Sequence, residues 1–122
     1  MKPASLELFS DSRLVFSSAG KWLHPLFELE DFLAESGLDP AGLSLRDRVA
    51  GKAAALLIVR LGIRRVHAGV LSRLGKQVFE ARQVEHTWDL LVERIDCHTE
   101  TALARIDDPG EAYAWVRKRA GR

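Results

Sequence analysis

The feature that most constrains this chain is a helix with almost no polar face. The segment Asp47-Arg48-Val49 leads into it, it starts near Gly51, and it continues as Lys52-Ala53-Ala54-Ala55-Leu56-Leu57-Ile58-Val59. A helix that is apolar nearly all round is buried on more than one side, and three consecutive alanines let its backbone approach a sheet closely. Its only early polar groups, Asp47, Arg48 and Lys52, lie at its N-terminal end. We therefore expect function to concentrate at that end.

The composition is that of a soluble globular protein and argues against several classes. The 122 residues suffice for one domain with a real core, and the hydrophobic content of 47% with 29% charged residues is ordinary. A formal net charge of +1 gives no case for nucleic-acid binding, and one cysteine excludes an internal disulfide and multi-cysteine metal sites. No apolar run reaches the roughly 18 residues of a membrane span, and the charged N-terminus does not fit a signal peptide. We expect a cytoplasmic protein without nucleic-acid or membrane partners.

The first third of the chain predicts a helix or arm followed by a hairpin and a helix. The expected elements are a short N-terminal helix or arm over 1–11 (with helical spacing over 4–12), strands over 13–16 and 22–24, and a helix over 25–36. Two short apolar runs around a glycine-containing loop favour the hairpin. Pro25 suits the first turn of the helix and Gly37 suits its C-terminal cap.

The rest of the chain alternates between strand and helix patterns. The expected elements are a short strand over 43–45, the central helix up to Gly62, a strand over 64–71, a helix over 72–82, a short strand over 84–88, helical segments over 90–95 and 99–106, and a C-terminal helix over 109–119. The last boundary is the clearest, because Asp108, Pro109 and Glu111 form an N-terminal capping signal.

This order predicts an α/β fold. Strands that alternate with helices after an opening hairpin imply a mixed β-sheet with helices on both faces. We therefore expect one domain over residues 1–122, folded as a three-layer α/β/α sandwich.

The same order is similar to the cytidine-deaminase-like superfamily. More closely, the segment from Asp47 to Leu57 resembles the most recognisable stretch of a small uncharacterised family within it, and the segments Val66–Ser72 and Cys97-His98-Thr99-Glu100 also look like that family. The likeness covers most of residues 12–119. It implies a cytidine-deaminase-like fold of unassigned function, and it makes a homodimer plausible.

The chain departs from true deaminases where they bind zinc. The resemblance places their His-x-Glu at the helix that starts near Gly51, and their Pro-Cys-x-x-Cys at the helix after Ser72. Here neither helix start offers a thiolate, an imidazole or a glutamate. Since a catalytic zinc normally needs three protein ligands, we expect no metal, no cofactor and no zinc-dependent deamination.

The two helix starts favour an anion instead. Each helix N-terminus carries about half a positive charge and free N–H groups, and the sequence adds Lys52 near one and Arg73 near the other. Gly51 leaves room for a ligand, Ser72 can cap its helix or bond the ligand, and Asp47 can orient Lys52 or accept a hydrogen bond. The alternative is structural: Asp47 as a cap, Lys52 in solvent and Gly51 for close packing.

Cys97 raises a second possibility. Free cysteines are most often small buried apolar groups, but this one lies between Asp96 and His98 just before a predicted helix, where its pKa could be lowered. Glu100 could hold His98. Asp47, Lys52 and Cys97 are thus the candidate catalytic residues, although adjacent residues such as Cys97 and His98 seldom point at each other.

The other histidines show no metal-ligand spacing: His24 precedes a proline, and His67 and His86 lie on strands.

The leading hypothesis is a zinc-free domain that binds a small anion, such as a nucleotide, a phosphate or a carboxylate, and that need not be catalytic. The predicted ligand-binding residues at the two helix starts are Asp47, Gly51, Lys52, Ser72 and Arg73. The rivals are a cysteine-dependent enzyme using Cys97, and a structural or oligomerisation module without a ligand.

Overall fold

The chain folds as a mixed five-stranded sheet with helices packed against it. A computed structural model describes residues 3–121, apart from the side chain of Cys97. The elements are β1 (Leu6–Ser10), β2 (Arg13–Ser18), α1 (His24–Ser36), a short 3₁₀ turn (Pro40–Gly42), β3 (Leu43–Ala50), α2 (Lys52–Arg60), β4 (Arg65–Ser72), α3 (Arg73–Ala81), β5 (Glu85–Val92), α4 (Cys97–Ala102) and α5 (Pro109–Arg119).

The strand order brings the starts of two helices to one edge of the sheet. The order is β2-β1-β3-β4-β5, with β1 antiparallel to both of its neighbours and β3, β4 and β5 parallel. Because α2 follows β3 and α3 follows β4, both helices begin at the carboxyl ends of adjacent parallel strands. This is the edge where open α/β sheets usually bind ligands.

Helix α2 is the centre of the core. All seven residues from Lys52 to Ile58 are buried, and α2 packs against α3 on one side and α5 on another. The expectation that this helix is buried on more than one side is confirmed. Its alanines allow the helix backbone to approach its neighbours closely, and the leucine and isoleucine side chains fill the space around them.

The helices cover only one face of the sheet. Leu8, Leu45 and Val66 lie in one register row and are buried, whereas the next row, which includes Arg46 and His67, is exposed or half-exposed. Helix α5 packs against α2, so it forms a further layer on the covered side of the sheet and does not cover the other face. Within residues 3–121, the prediction of a three-layer α/β/α sandwich, with helices on both sheet faces, is therefore wrong. The α/β class and the mixed sheet are confirmed.

The N-terminal helix is also a wrong prediction. Residues 6–10 form strand β1, which pairs with both β2 and β3. Leu6 and Leu8 are 1% and 0% exposed and alternate with the half-buried Glu7, which is the period of a strand. The helical spacing of Leu6 and Phe9 misled the sequence interpretation, because tertiary pairing outweighs a short local pattern.

Further boundaries differ from prediction, including that of β3, which continues to Ala50 beyond the expected short strand over 43–45. The hairpin partner of Arg13–Ser18 is β1, and the expected strand over 22–24 is a turn that leads into α1 at His24. Strand β5 runs to Val92, through part of the segment expected to be helical from Leu90. The C-terminal helix over 109–119 is confirmed, with Asp108 accepting a hydrogen bond from the Glu111 N–H at 2.8 Å. None of the helices among residues 3–121 has the length and apolar character that a membrane crossing requires.

Gly69 offers a direct test of the β3–β4 contact. A Cβ added to Gly69 would lie 2.7 Å from the Arg48 carbonyl oxygen, which belongs to backbone and cannot move freely. We expect Gly69→Ala to lower the free energy of unfolding by about 2 kcal/mol, measured by urea denaturation. Gly42→Ala is the matched control, since a Cβ there meets nothing within 4 Å. Equal stabilities of the two variants would contradict this packing.

Candidate functional site

The starts of α2 and α3 meet on a carboxylate of the chain itself. Glu100 is 2% exposed, and its Oε2 accepts hydrogen bonds from the Lys52 N–H at 3.0 Å and from the Ser72 hydroxyl at 2.8 Å. Its Oε1 accepts from the Ile95 N–H at 2.6 Å. The anion that two helix N-termini attract is thus present within the fold.

Small residues bring these groups close together. Ser72 caps α3 by accepting from the Gly75 N–H at 3.0 Å while it donates to Glu100. A Cβ on Gly51 would already contact Glu100 Oε2 at 3.4 Å, and a Cβ on Gly75 would lie 3.1 Å from the Gly51 carbonyl oxygen. A larger side chain at Gly75 would push the two helix starts apart, and one at Gly51 would displace Glu100. The close approach of these groups therefore depends on both glycines.

The two predicted cations bind other carboxylates. The buried Lys52 ammonium donates to the Ala104 carbonyl oxygen at 3.1 Å and pairs with Asp107 at 3.0 Å. The exposed Arg73 pairs with Glu93 at 2.9 Å. Neither cation is directed at Glu100, so the structure does not bring the charges of Lys52 and Arg73 together.

A cavity of about 510 Å³ lies beside the start of α2. Its lining comprises Pro3, Ser5, Leu6, Ala19, Gly20, Lys21, Trp22, Leu23, Pro25, Leu26, Asp47, Arg48, Val49, Gly51, Lys52, Ala53, Ala54, Ile95, Asp96, Thr99 and Glu100. Apolar side chains dominate this set. Three of the five predicted ligand residues, Asp47, Gly51 and Lys52, line the cavity, whereas Ser72 and Arg73 do not.

Asp47 is the unusual polar group of this cavity. Its register partners Leu6 and Ala68 are both buried, so Asp47 lies in a row that belongs to the covered side of the sheet. Burial raises the pKa of the Asp47 carboxyl from 3.8 to about 7, and a hydrogen bond from the Val49 N–H at 3.4 Å lowers it only in part. Near neutral pH the carboxyl is therefore present both with and without its proton, and it can donate or accept a hydrogen bond.

The rim carries charged and aromatic side chains from distant segments. Lys21, Trp22, Arg48 and Asp96 all line the cavity and are exposed. Within the described residues, the Lys21 ammonium and the Arg48 guanidinium make no hydrogen bond or ion pair. Of these four, Lys21 and Trp22 carried no sequence signal, because only the folded chain brings the loop after β2 next to the start of α2.

From the sequence we expected Glu100 to hold His98, but its hydrogen-bond partners are Lys52, Ser72 and Ile95. A signal for its actual position existed, since two convergent helix starts need an acceptor and α4 carries an acid one turn from its beginning. The side chain of Cys97 lies outside the described part of the chain, so its predicted role stays a prediction. Its backbone opens α4, where Asp96 is the N-cap.

His67 and His86 have polar partners within the protein. His67 lies 2.7 Å from the Thr87 hydroxyl and 3.3 Å from Asp89, and His86 lies 2.8 Å from the Val84 carbonyl oxygen. Among the residues whose side chains are described, no group of three or more His, Cys, Asp and Glu is placed to hold a metal ion.

Comparison with known proteins identifies the family. A family model described as "Domain of unknown function (DUF1893)" matches residues 5–119. The crystal structure of a DUF1893 family protein from Thermotoga maritima is similar to this chain, with a TM-score of 0.82 and 24% sequence identity, over 95% of this chain and 80% of that one. No curated protein sequence matches. The chain therefore belongs to the DUF1893 family, whose function is unknown.

Proposed function

We propose that this domain binds a small organic anion with an apolar body in the cavity beside α2. The observation that carries the proposal is the cavity itself, which combines largely apolar walls with the Asp47 carboxyl. Pockets of several hundred Å³ with apolar walls and a few polar groups are typical small-molecule sites.

Each part of the ligand has a complement in the lining. The apolar body packs against side chains such as Leu6 and Leu26, and a polar edge bonds to Asp47. The anionic group lies at the rim, where Lys21 and Arg48 supply positive charge. A phosphate or carboxylate on a planar ring, as in a nucleotide, meets all three requirements.

The proposal moves the ligand away from the helix starts. Glu100 already accepts hydrogen bonds from the Lys52 N–H and the Ser72 hydroxyl, and a second anion at these donors would meet like-charge repulsion. Asp47, Gly51 and Lys52 remain in the proposed site, whereas Ser72 supports the wall by donating to Glu100 and Arg73 lies outside the site, paired with Glu93.

We also keep the cytidine-deaminase-like superfamily as part of the proposal, supported by the element order and by helices that start at neighbouring parallel strands. Zinc-dependent deamination is not part of it, since the helix starts at Lys52 and Arg73 carry no metal-ligand set. The proposed role is binding, and a reaction that uses Cys97 would be a separate activity.

The protonation of Asp47 can be measured through stability. Since its pKa is raised from 3.8 to about 7 in the fold, ionising Asp47 destabilises the folded state. The effect is absent below about pH 4, grows as the pH rises, and is complete above about pH 7. Relative to Asp47→Asn, the wild type should lose up to about 4 kcal/mol of unfolding free energy over this range. Parallel pH profiles in urea denaturation would contradict the burial of this carboxyl.

Binding should depend on the same proton. We choose 8-anilinonaphthalene-1-sulfonate as the probe, because it has an apolar body and a sulfonate that stays charged at every relevant pH. We expect its affinity, measured by fluorescence titration, to weaken roughly tenfold between about pH 6 and about pH 8, as Asp47 becomes negative.

Asp47→Asn should bind this probe with little dependence on pH, and Lys21→Ala combined with Arg48→Ala should weaken binding at every pH. The matched control is Glu28→Gln, because Glu28 is an exposed carboxylate outside the lining. Its profile should follow the wild type. A wild-type affinity that does not change with pH, or one unaffected by the two cation substitutions, would contradict the proposal.

A second candidate function is association of two copies through an exposed apolar row near the carboxyl ends of the parallel strands. Val49, Val70 and Leu90 form this register row on β3, β4 and β5, and Val49 and Leu90 are 45% and 56% exposed. Adjacent exposed apolar residues are typical of protein contacts.

We expect light scattering to give a dimer for the wild type and a monomer for Leu90→Glu. Leu14→Glu is the control, since Leu14 is 48% exposed on strand β2, away from this row. A monomeric wild type would remove this candidate.

A further inference from the structure

Two residues at the rim of the cavity have an uncommon backbone conformation. Trp22 has φ of 56° and Asp96 has φ of 47°, in the left-handed region that non-glycine residues rarely adopt. They belong to separate loops, one between β2 and α1 and the other between β5 and α4. Such conformations often occur at ligand clamps and switch regions, and here both line the same cavity.

The two residues are bonded to each other. The Trp22 indole Nε1–H donates to Asp96 Oδ2 at 3.0 Å, across 74 positions of sequence. The same oxygen accepts from the Thr99 hydroxyl at 2.6 Å, so the Asp96 carboxylate is held by α4. We name this contact the Trp22–Asp96 clasp. Trp22 is 40% exposed and lines the cavity together with Asp96, so the clasp borders both the cavity and the solvent.

The supports of the clasp are fixed on both sides. On the Trp22 side, the Gly20 carbonyl oxygen accepts from the Ser5 hydroxyl at 2.9 Å, and Leu23 is buried. Lys21 and Trp22 therefore lie between two anchored residues, Gly20 and Leu23.

On the other side, the Ile95 N–H is held by Glu100 at 2.6 Å, directly before Asp96. The loop that carries the acceptor of the clasp is thus tied to the buried carboxylate at the helix starts. A movement of the clasp is expected to involve the Trp22 side, whose indole is exposed, more than the Asp96 side.

We propose that the Trp22–Asp96 clasp is the gate of the cavity, which opens by breaking the indole hydrogen bond and lets Trp22 swing out to admit a ligand. This inference rests on the proposed function, since it concerns access to the same site. The bond is exposed to water, so its loss is largely compensated by solvent. Opening also lets Trp22 leave its left-handed conformation.

The first test needs no ligand. The protein is labelled with 5-fluorotryptophan, and the ¹⁹F signal of Trp22 is assigned by its disappearance in Trp22→Phe. We expect Asp96→Asn to shift and sharpen the Trp22 signal, since a neutral acceptor holds the indole less firmly, and to leave the signals of Trp88 and Trp115 in place. An unchanged Trp22 signal would overturn the clasp, whatever the cavity binds.

The second test measures how fast the gate admits a probe. In stopped-flow fluorescence with 8-anilinonaphthalene-1-sulfonate, Trp22→Phe should raise both the association and the dissociation rate constants by roughly three- to tenfold, the range that one net hydrogen bond represents. Trp88→Phe is the matched control, because Trp88 is 37% exposed and does not line the cavity. Its rate constants should equal those of the wild type.

The outcomes separate the gate from the site. A faster dissociation with unchanged association would make Trp22 a wall of the cavity and overturn the gate. If the wild type binds no probe, the proposed function fails, and the ¹⁹F experiment still reports whether the clasp exists. If the probe binds and Trp22→Phe changes neither rate constant, the gate fails and the proposed function stands.

Discussion

The structure depends on one buried carboxylate. Two helices start at neighbouring parallel strands, and their positive ends lie around the same point, where negative charge is stabilising. Glu100 supplies it from a third element, α4, with hydrogen bonds to the start of α2, to the cap of α3 and to the loop before α4. Three segments far apart in sequence are thereby fixed to one side chain.

This arrangement determines where a ligand can bind. With the helix starts occupied by Glu100, the free space lies beside them, between the start of α2, strand β3 and the loop after β2. Among the polar groups of that space is Asp47, whose burial raises its pKa to about 7. A carboxyl in that state discriminates between ligands through its proton, which ties the proposed binding to pH. Lys52 completes the wall, with its ammonium held by Ala104 and Asp107.

Much of the fold could be predicted from the sequence, because the apolar α2 segment and the capping signal at Asp108 and Pro109 are strong local patterns. The first strand and the placement of the helices around the sheet were harder to predict. Strand β1 has five residues, and Leu6 and Phe9 also fit a helix, so its two pairings were decided by contacts that no local pattern contains. The uncovered sheet face is likewise a result of all crossovers packing their helices on one side.

The candidate site was predictable in position more than in detail. Helix starts and the residue types around them indicated an anion at this edge, and Asp47, Gly51 and Lys52 do line a cavity there. The sequence could not show that the anion at the helix starts is Glu100, since that contact spans 48 residues from Lys52. Nor could it show that Lys52 and Arg73 would be held by other acids.

The structural role of Glu100 is tested most directly by the rescue of a Glu100→Ala variant with small carboxylates. The variant should lose about 3 kcal/mol of unfolding free energy, because several buried donors lose their acceptor. Since Glu100 also lines the cavity, formate and acetate can reach the vacated position, and they should raise the melting temperature of this variant far more than chloride does. They should have no such effect on the wild type or on Glu93→Ala, which removes an exposed carboxylate. A Glu100→Ala variant as stable as the wild type, or one that formate and acetate stabilise no more than chloride does, would contradict the central role of this carboxylate.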